Sequence, residues 1–319
     1  MKTVILDSFA LNPGDLSWDW LKNLTECEIY DRTPADKIIS RCEGADIVIT
    51  NKTPLPKCAL EKLTALKFIA LESTGYNVVD TEYCKERGIP VCNIPSYSTE
   101  AVAQLTFGLI LEITNAVALH SESVKNGEWT ACPDFCYWKI PLTELSGKTL
   151  GIVGFGQIGR RVADIAEAFN MNVIAVSGHE TDQPHRKNFR WVNTEELKQC
   201  ADIISFHCPL NKNTENLCNE EFLNTCKDGV IIINTSRGPV IDEKALAAAL
   251  RNGKVRGAGV DVLSSEPPKA DNPLLSAPNC FITPHIAWAG FETRKRLMAI
   301  LESNVKAYLA GNPQNVVNK

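Results

Sequence analysis

The sequence predicts an α/β protein of two doubly wound units, and three observations carry that expectation. Short apolar runs alternate with amphipathic stretches along the chain, the pattern of parallel strands joined by crossover helices. A Gly-x-Gly-x-x-Gly loop, Gly154-Phe155-Gly156-Gln157-Ile158-Gly159, lies between an apolar run and a helical one. At 319 residues the chain exceeds one average domain and suits two.

Taken in order, Met1–Asp7 reads as a short buried strand closed by Asp7, without the charged, apolar and small-residue succession of a signal peptide. Strands are expected at Thr3–Leu6, Ile47–Thr50, Phe68–Leu71 and Pro90–Cys92, with helices at Trp18–Leu24, Ala35–Arg41, Cys58–Leu63 and Thr81–Arg87. Glu100–His120 is rich in apolar residues and is expected to form one long connecting helix. Gly127–Leu145 has little periodicity and carries Trp129, Phe135, Tyr137 and Trp138. These aromatics suit either an interface or a loop folded onto its own domain.

A second series follows, with strands at Thr149–Val153, Asn172–Val176, Ile203–His207, Val230–Asn234, Gly257–Asp261 and Phe281–Thr283. Helices fit Gly159–Phe169, Thr194–Cys200, Glu220–Thr225 and Glu243–Asn252. A last helix, Phe291–Ala310, is expected to return to the first unit. The organisation is then a discontinuous first domain, 1–99 plus 289–319, and a second domain, 100–288, which carries the glycine loop.

Composition narrows the function. The chain is 44% hydrophobic and 22% charged, with a net charge of -5 and no Lys/Arg-rich run. That argues against nucleic-acid partners and an anionic membrane surface, and no apolar run approaches a bilayer span. A cytoplasmic protein is expected. The 12 cysteines are scattered, with no Cys-x-x-Cys pair and no His at ligand spacing from Cys132 and Cys136. Free thiols are expected rather than a metal site or disulfides.

The glycine loop has the context that gives it meaning, after a strand and before a helix. Gly154 permits the tight turn, Gly156 lets the backbone approach a pyrophosphate, and Gly159 lets helix and strand pack. Gln157 and Ile158 complete the loop, and the helix N-terminus offers N–H groups to phosphates. At the end of the second strand, an acidic residue would bond the ribose of NAD, but Ser177 stands there. His179, Arg186 or Lys187 is a candidate partner for the 2′-phosphate of NADP, and Glu180 for a 2′-OH. NAD remains the default by a narrow margin. Further candidate cofactor contacts are Cys208 and Pro209, beyond the strand Ile203–His207, and Thr235 and Ser236.

Three segments each follow a predicted strand with a reactive side chain. They are Asn234-Thr235-Ser236-Arg237-Gly238, then Gly259-Val260-Asp261-Val262 with Glu266-Pro267 after it, then Thr283-Pro284-His285. Alone, each residue has a bland explanation: a solvated Arg, a loop Glu, a packed His. Ligands bind beyond the carboxyl ends of strands in a doubly wound sheet, so the three are expected to face one crevice with the glycine loop.

With GFGQIG, NTSRGPVIDEKAL, GVDV…EPP and TPHIAW in this order, the chain resembles the D-isomer-specific 2-hydroxyacid dehydrogenases over nearly its whole length. The resemblance implies two Rossmann-like domains with the active site in the interdomain cleft, and a homodimer. Reducing a 2-keto acid needs a cation, a proton donor and a hydride. Arg237 suits bidentate binding of the carboxylate and keto oxygen, and His285 the proton transfer. Glu266 would orient the imidazole and favour its protonated form. The resemblance further implies that Asp261 meets the nicotinamide carboxamide, with His285 also beside the cofactor, and that the turn Ser73-Thr74-Gly75 binds the substrate carboxylate. The chain departs from the family at Asn77, near which an acidic residue is usual, and at Gln104, near which a Glu is usual.

Among substrates, the TPHIAW form and overall pattern most resemble the glycerate dehydrogenase/hydroxypyruvate reductase branch, which implies glycerate and hydroxypyruvate, with glyoxylate also open. Trp138 or Trp288 is a candidate lining residue of a small polar pocket. The alternatives are a D-lactate-type dehydrogenase and a nicotinamide-sensing corepressor-like binder on the same fold.

Overall fold

The computed structural model describes residues 1–319, which divide into two compact units, Met1–Tyr97 with Ala289–Lys319, and Ser98–Trp288. In the first unit the order is β1 (Lys2–Ile5), α1 (Asp19–Lys22), β2 (Glu26–Ile29), α2 (Ile38–Arg41), β3 (Ile47–Thr50), α3 (Lys57–Leu60), β4 (Phe68–Leu71), α4 (Thr81–Glu86) and β5 (Val91–Cys92). The second unit holds α5 (Thr99–Asn115), α6 (Val117–Lys125), β6 (Thr149–Val153), α7 (Gln157–Ala168), β7 (Asn172–Val176), β8 (Phe189–Trp191), α8 (Thr194–Cys200), β9 (Ile203–Phe206), α9 (Glu220–Thr225), β10 (Val230–Asn234), α10 (Glu243–Arg251), β11 (Val255–Val260) and β12 (Cys280–Ile282). The final helix, α11 (Phe291–Leu309), belongs to the first unit, where Tyr308 stacks on Phe68 of β4 at 4.2 Å.

Each unit is built on one sheet with every neighbouring pair parallel. The first sheet runs β2-β1-β3-β4-β5 and the second β12-β11-β10-β9-β6-β7-β8. Both are doubly wound. In the second, the order reverses between β6 and β9, the place where a dinucleotide binds in this architecture. The central strands are apolar on both faces because helices cover both: every residue of β3, β4, β9 and β10 is buried. No single helix is long and apolar enough to cross a membrane.

Four expectations need correction. The stretch Glu100–His120 is not one helix, because α5 ends at Asn115 and Ala116 adopts a left-handed conformation (φ 48) before α6 starts, with a bend of 55°. Thr114 and Asn115 precede the break, and the Thr114 hydroxyl donates back to the Ile110 carbonyl, a local bond that competes with helix continuation. Two strands went unforeseen: β2, half-exposed and carrying Glu26 and Glu28, and β8, carrying Arg190. Both are sheet edges, where charge guards an open ladder and hides the apolar alternation. The early helices at Trp18–Leu24 and Cys58–Leu63 are also shorter than expected, α1 and α3 spanning 4 residues each, whereas Ala35–Arg41 is helical throughout, as a 3-10 turn over Ala35–Lys37 running into α2.

All the cysteines are free. Burial pushes the thiols of Cys42, Cys92 and Cys280 up to about 12, the reverse of what a reactive thiolate needs. His207, just past β9, has Nε2 bonded to the Ser205 hydroxyl at 2.8 Å, while Nδ1 is sealed from solvent without a partner. Burial pushes this imidazole down to about 3 from the ordinary 6.5. The residue as a whole is only half-buried, which softens the cost of charging it.

A depressed base is neutral in the fold and charged in the unfolded chain below pH 6.5. Its contribution is therefore complete above that pH and lost as the pH falls from about 6.5 towards 3. Between pH 7 and 5 the native protein should lose on the order of 1 kcal/mol more stability than His207→Gln in denaturant unfolding. Parallel losses in the two proteins would sink this assignment.

Candidate active site

The glycine loop is shaped by steric necessity. Gly154 has φ +94 and hands its N–H to the Val176 carbonyl at 2.9 Å. A Cβ there would lie 2.6 Å from the Cys208 backbone nitrogen, so β6 and the segment after β9 meet only because the side chain is absent. Between the glycines, Phe155 is buried against Phe189 at 4.9 Å and Trp191 at 5.1 Å, which pins the loop to the sheet edge. Gly156 caps α7 without a side-chain bond. The first amides of the helix, from Gln157, Ile158 and Gly159, thus point to an anion acceptor with nothing in the chain competing for them. The residues present fit a dinucleotide pyrophosphate. Cys208 and Pro209 stand beside this turn, Cys208 buried and Pro209 exposed.

Ser177 follows β7, its hydroxyl accepting from the His179 N–H at 3.3 Å. Arg186, one of the candidate phosphate partners, is otherwise engaged. Its buried guanidinium bonds Asp164 at 2.5 Å, Glu167 at 3.3 Å and the Arg160 carbonyl at 3.2 Å. It is a structural clamp, because two carboxylates already neutralise it. His179, Glu180 and Lys187 are exposed. Arg160 was not foreseen; it is exposed too and reaches the Thr181 hydroxyl at 3.3 Å.

At the end of β10, Asn234 is fully buried and builds the turn that presents Arg237. Its amide donates to the Arg237 carbonyl at 2.9 Å, and its Oδ1 accepts from the Ser236 N–H and hydroxyl at 3.0 and 2.8 Å. Thr235 is tied to Thr106 of α5 through their hydroxyls at 3.1 Å. The Arg237 side chain is exposed and bonds only the Ser236 carbonyl, at 2.8 Å. Beside it, Gly238 abuts Leu263 so closely that a Cβ would overlap the Leu263 carbonyl.

That contact leads directly to Glu266. The Leu263 N–H donates to Glu266 Oε1 at 3.1 Å, and Glu266 Oε2 bonds His285 Nδ1 at 2.6 Å. A carboxylate on Nδ1 fixes the ring and leaves Nε2 for proton transfer. The His285 backbone lies in the left-handed region (φ 54), held by bonds from its N–H to the carbonyls of Asp261 at 2.8 Å and Thr283 at 2.9 Å. Such a conformation in a non-glycine residue persists only when its surroundings over-determine it.

Asp261 supplies much of that determination. It is 1% exposed, and its carboxylate accepts from the Thr283 hydroxyl at 2.6 Å and the N–H groups of Ile286 and Ala287, both at 2.9 Å. Burial pushes its carboxyl up, and the bonds from Thr283, Ala287 and Ile286 pull the other way. Glu243, at the start of α10, was also missed. It accepts from the Ser264 N–H at 2.7 Å and the Asn272 amide at 2.8 Å, bracing the loop that carries Glu266. The signal was present: a Glu directly after the N-cap Asp242, on a helix already foreseen.

In the first unit, Ser73-Thr74-Gly75 follows β4 as a tight turn. The Ser73 hydroxyl bonds the Gly75 carbonyl and the Thr74 hydroxyl the Ile94 carbonyl, each at 2.6 Å, while the Asn93 amide donates to the Thr74 carbonyl at 2.7 Å. Carbonyls are thereby consumed, whereas none of the three backbone N–H groups donates within the chain. At the neighbouring strand end the position is opposite. Asp7 takes the N–H groups of Asn51, Lys52 and Thr53 together with the Thr50 hydroxyl.

Comparisons with known proteins identify the family. The family described as D-isomer specific 2-hydroxyacid dehydrogenase, NAD binding domain, matches residues 107–287. The chain is 50% identical to a hydroxypyruvate reductase of Blautia hydrogenotrophica over the whole of both chains. It is 39% identical to a glycerate dehydrogenase of Methylorubrum extorquens, covering 99% of this chain and 98% of that one. Among solved structures, a D-lactate dehydrogenase from Aquifex aeolicus complexed with NAD and lactic acid superposes with a TM-score of 0.84 at 31% identity, over 99% of each chain. Two parallel doubly wound sheets, a glycine loop at the switch point and these full-length likenesses place the chain in the D-isomer-specific 2-hydroxyacid dehydrogenase family.

Proposed function

We propose that the protein interconverts hydroxypyruvate and D-glycerate, with glyoxylate as a second substrate. The observation that carries the chemistry is the 2.6 Å bond between Glu266 and His285 Nδ1, on a loop packed against the Arg237 turn. The substrate follows from the two relatives described above, a hydroxypyruvate reductase and a glycerate dehydrogenase that match along essentially their full lengths.

The mechanism assigned to these residues is as follows. Arg237 binds the substrate carboxylate and keto oxygen through its planar fork. The Ser73-Thr74-Gly75 turn offers backbone N–H groups to a carboxylate. His285 donates its Nε2 proton to the ketone oxygen as the carbonyl carbon is reduced, and recovers a proton from solvent afterwards. Glu266 stabilises the imidazolium and keeps the ring aimed. When bound, the nicotinamide supplies the hydride for reduction and accepts it in the reverse direction. Asp261 holds the His285 loop and has lone-pair capacity left for the carboxamide.

NAD is the proposed cofactor. Arg186, the buried member of the candidate 2′-phosphate partners, is committed to Asp164 and Glu167 and so is not available to a 2′-phosphate. A homodimer is proposed as well, through the segment that follows α6. Phe135 is 88% exposed and Trp138 66%, while Tyr137 alone is drawn back, to the Ser123 hydroxyl at 2.7 Å. Aromatics this exposed are characteristic of interface anchors.

Three measurements test these readings. Purified protein should oxidise NADH with hydroxypyruvate at a higher kcat/KM than NADPH, and higher than with pyruvate; failure to turn over any small 2-keto acid would remove the enzymatic reading. His285→Gln should lower kcat by roughly 10²–10⁴-fold while NADH affinity stays within about twofold. Near-normal reduction by that variant would rule out the acid/base role. In sedimentation the native chain should run as a dimer, and a Phe135→Ser/Trp138→Ser double variant as a monomer. An unchanged dimer would place the interface elsewhere.

A further inference from the structure

We propose that Glu72 is a positioning residue which, as an uncharged carboxylic acid, keeps the adjoining Ser73-Thr74-Gly75 turn open to an anionic substrate. The inference rests on the reading of that turn as the carboxylate-binding element. Glu72 directly follows β4, and strand alternation sets it on the same face as Phe68 and Ala70. Ile69 and Leu71 point the other way, into a cluster with Val4, Leu6 and Val48. The Glu72 face is the one that α11 covers, through Tyr308 on Phe68.

There Glu72 is 0% exposed, and neither carboxyl oxygen meets a hydrogen-bond partner in the protein. Only its backbone is engaged, the N–H donating to the Thr50 carbonyl at 2.9 Å. No cation answers it. From the segment just past β1 the charged group acting on it is the Asp7 carboxylate, which has the same sign. On the buried side of α11, Arg294 is committed to Asp15 at 2.7 and 2.6 Å and to the carbonyls of Leu11 and Ala289. Next to it, β3 contributes Thr50 and β5 contributes Val91 and Cys92, none of them charged at neutral pH. An unpaired carboxylate in such surroundings is far more costly than a neutral acid. Burial, and then Asp7, push this carboxyl well above the ordinary range.

The position gives that neutrality a purpose. The turn begins at the next residue, and its three N–H groups are uncommitted, whereas Asp7 has taken those of Asn51 to Thr53. A negative charge one residue before the turn would repel the carboxylate that those donors are to receive, with little solvent to screen it. The proton on Glu72 thus protects substrate affinity without touching the chemistry.

The test combines infrared spectroscopy with kinetics on the native enzyme and Glu72→Gln. The difference spectrum between the two should carry the carbonyl stretch of a protonated carboxylic acid at neutral pH. Glu72→Gln should then keep KM for hydroxypyruvate within about twofold and kcat unchanged. If raising the pH converts that band to carboxylate, KM of the native enzyme should rise in step, by about tenfold, while KM of Glu72→Gln does not follow. If the band persists, the two KM profiles should coincide. A carboxylate band at neutral pH, or KM profiles that disregard the band, overturns the proposal. Amide resonances of residues 73–75, followed by NMR while oxamate is titrated into the NADH complex, separate the two layers. Absent shifts mean the turn is not the carboxylate site; shifts together with KM profiles that ignore Glu72 mean that Glu72 itself is the error.

Discussion

The candidate site depends on one buried carboxylate, that of Asp261. Its side chain gathers the Thr283 hydroxyl and the amides of Ile286 and Ala287, its carbonyl receives the His285 N–H, and its own N–H reaches the Asn234 carbonyl. One residue therefore joins the Arg237 turn, the end of β11 and the His285 loop. Bonds to a charged acceptor are worth about 1.5–3 kcal/mol each, enough together to hold His285 in a left-handed conformation that costs roughly 1–3 kcal/mol. The strain at His285 is tolerated because Asp261 leaves the loop no better alternative.

From that anchor the loops behave as a block. Gly238 and Leu263 touch through their backbones, Leu263 bonds Glu266, and Glu266 bonds His285. Glu243 braces the same loop from α10. Displacing any member shifts the others, which is the rigidity that the proposed general acid catalysis needs when small misplacements are expensive. The first unit repeats the device in simpler form. Asp7, just past β1, binds the hydroxyl of the last residue of β3 and three amides of the segment after it, as Asp261 binds the segment after β12. In both sheets an acid at a strand end shapes the loop of another strand, at the edge where parallel sheets bind ligands.

Much of this was legible from residue order alone. The strands Thr149–Val153, Asn172–Val176 and Val230–Asn234 fall where the apolar runs put them, because a central parallel strand is apolar on both faces and shows a clean edge. The family was legible too, since its motifs are short, contiguous and ordered. What escaped was set by partners distant in sequence. Arg186 looked available until Asp164 and Glu167, on a different element, claimed it. The break at Ala116 follows a Thr-Asn pair whose effect depends on side chains turning back onto the helix. Strands β2 and β8 carry charge because they are edges, and being an edge is a property of the sheet, not of the segment.

Three acids of the molecule illustrate how environment, rather than residue type, assigns a role. Glu266 is partly open to solvent and is bonded to an imidazole, so it serves to fix the ring of His285. Asp261 is buried but surrounded by donors, so its oxygens serve as a structural hub. Glu72 is buried with neither donors nor cations, so the stable state open to it is the protonated one. A reaction that binds an anion and moves a proton is sensitive to every nearby negative charge. The same side-chain chemistry is acceptable at all three positions only because bonding, donors and burial respectively dispose of the charge.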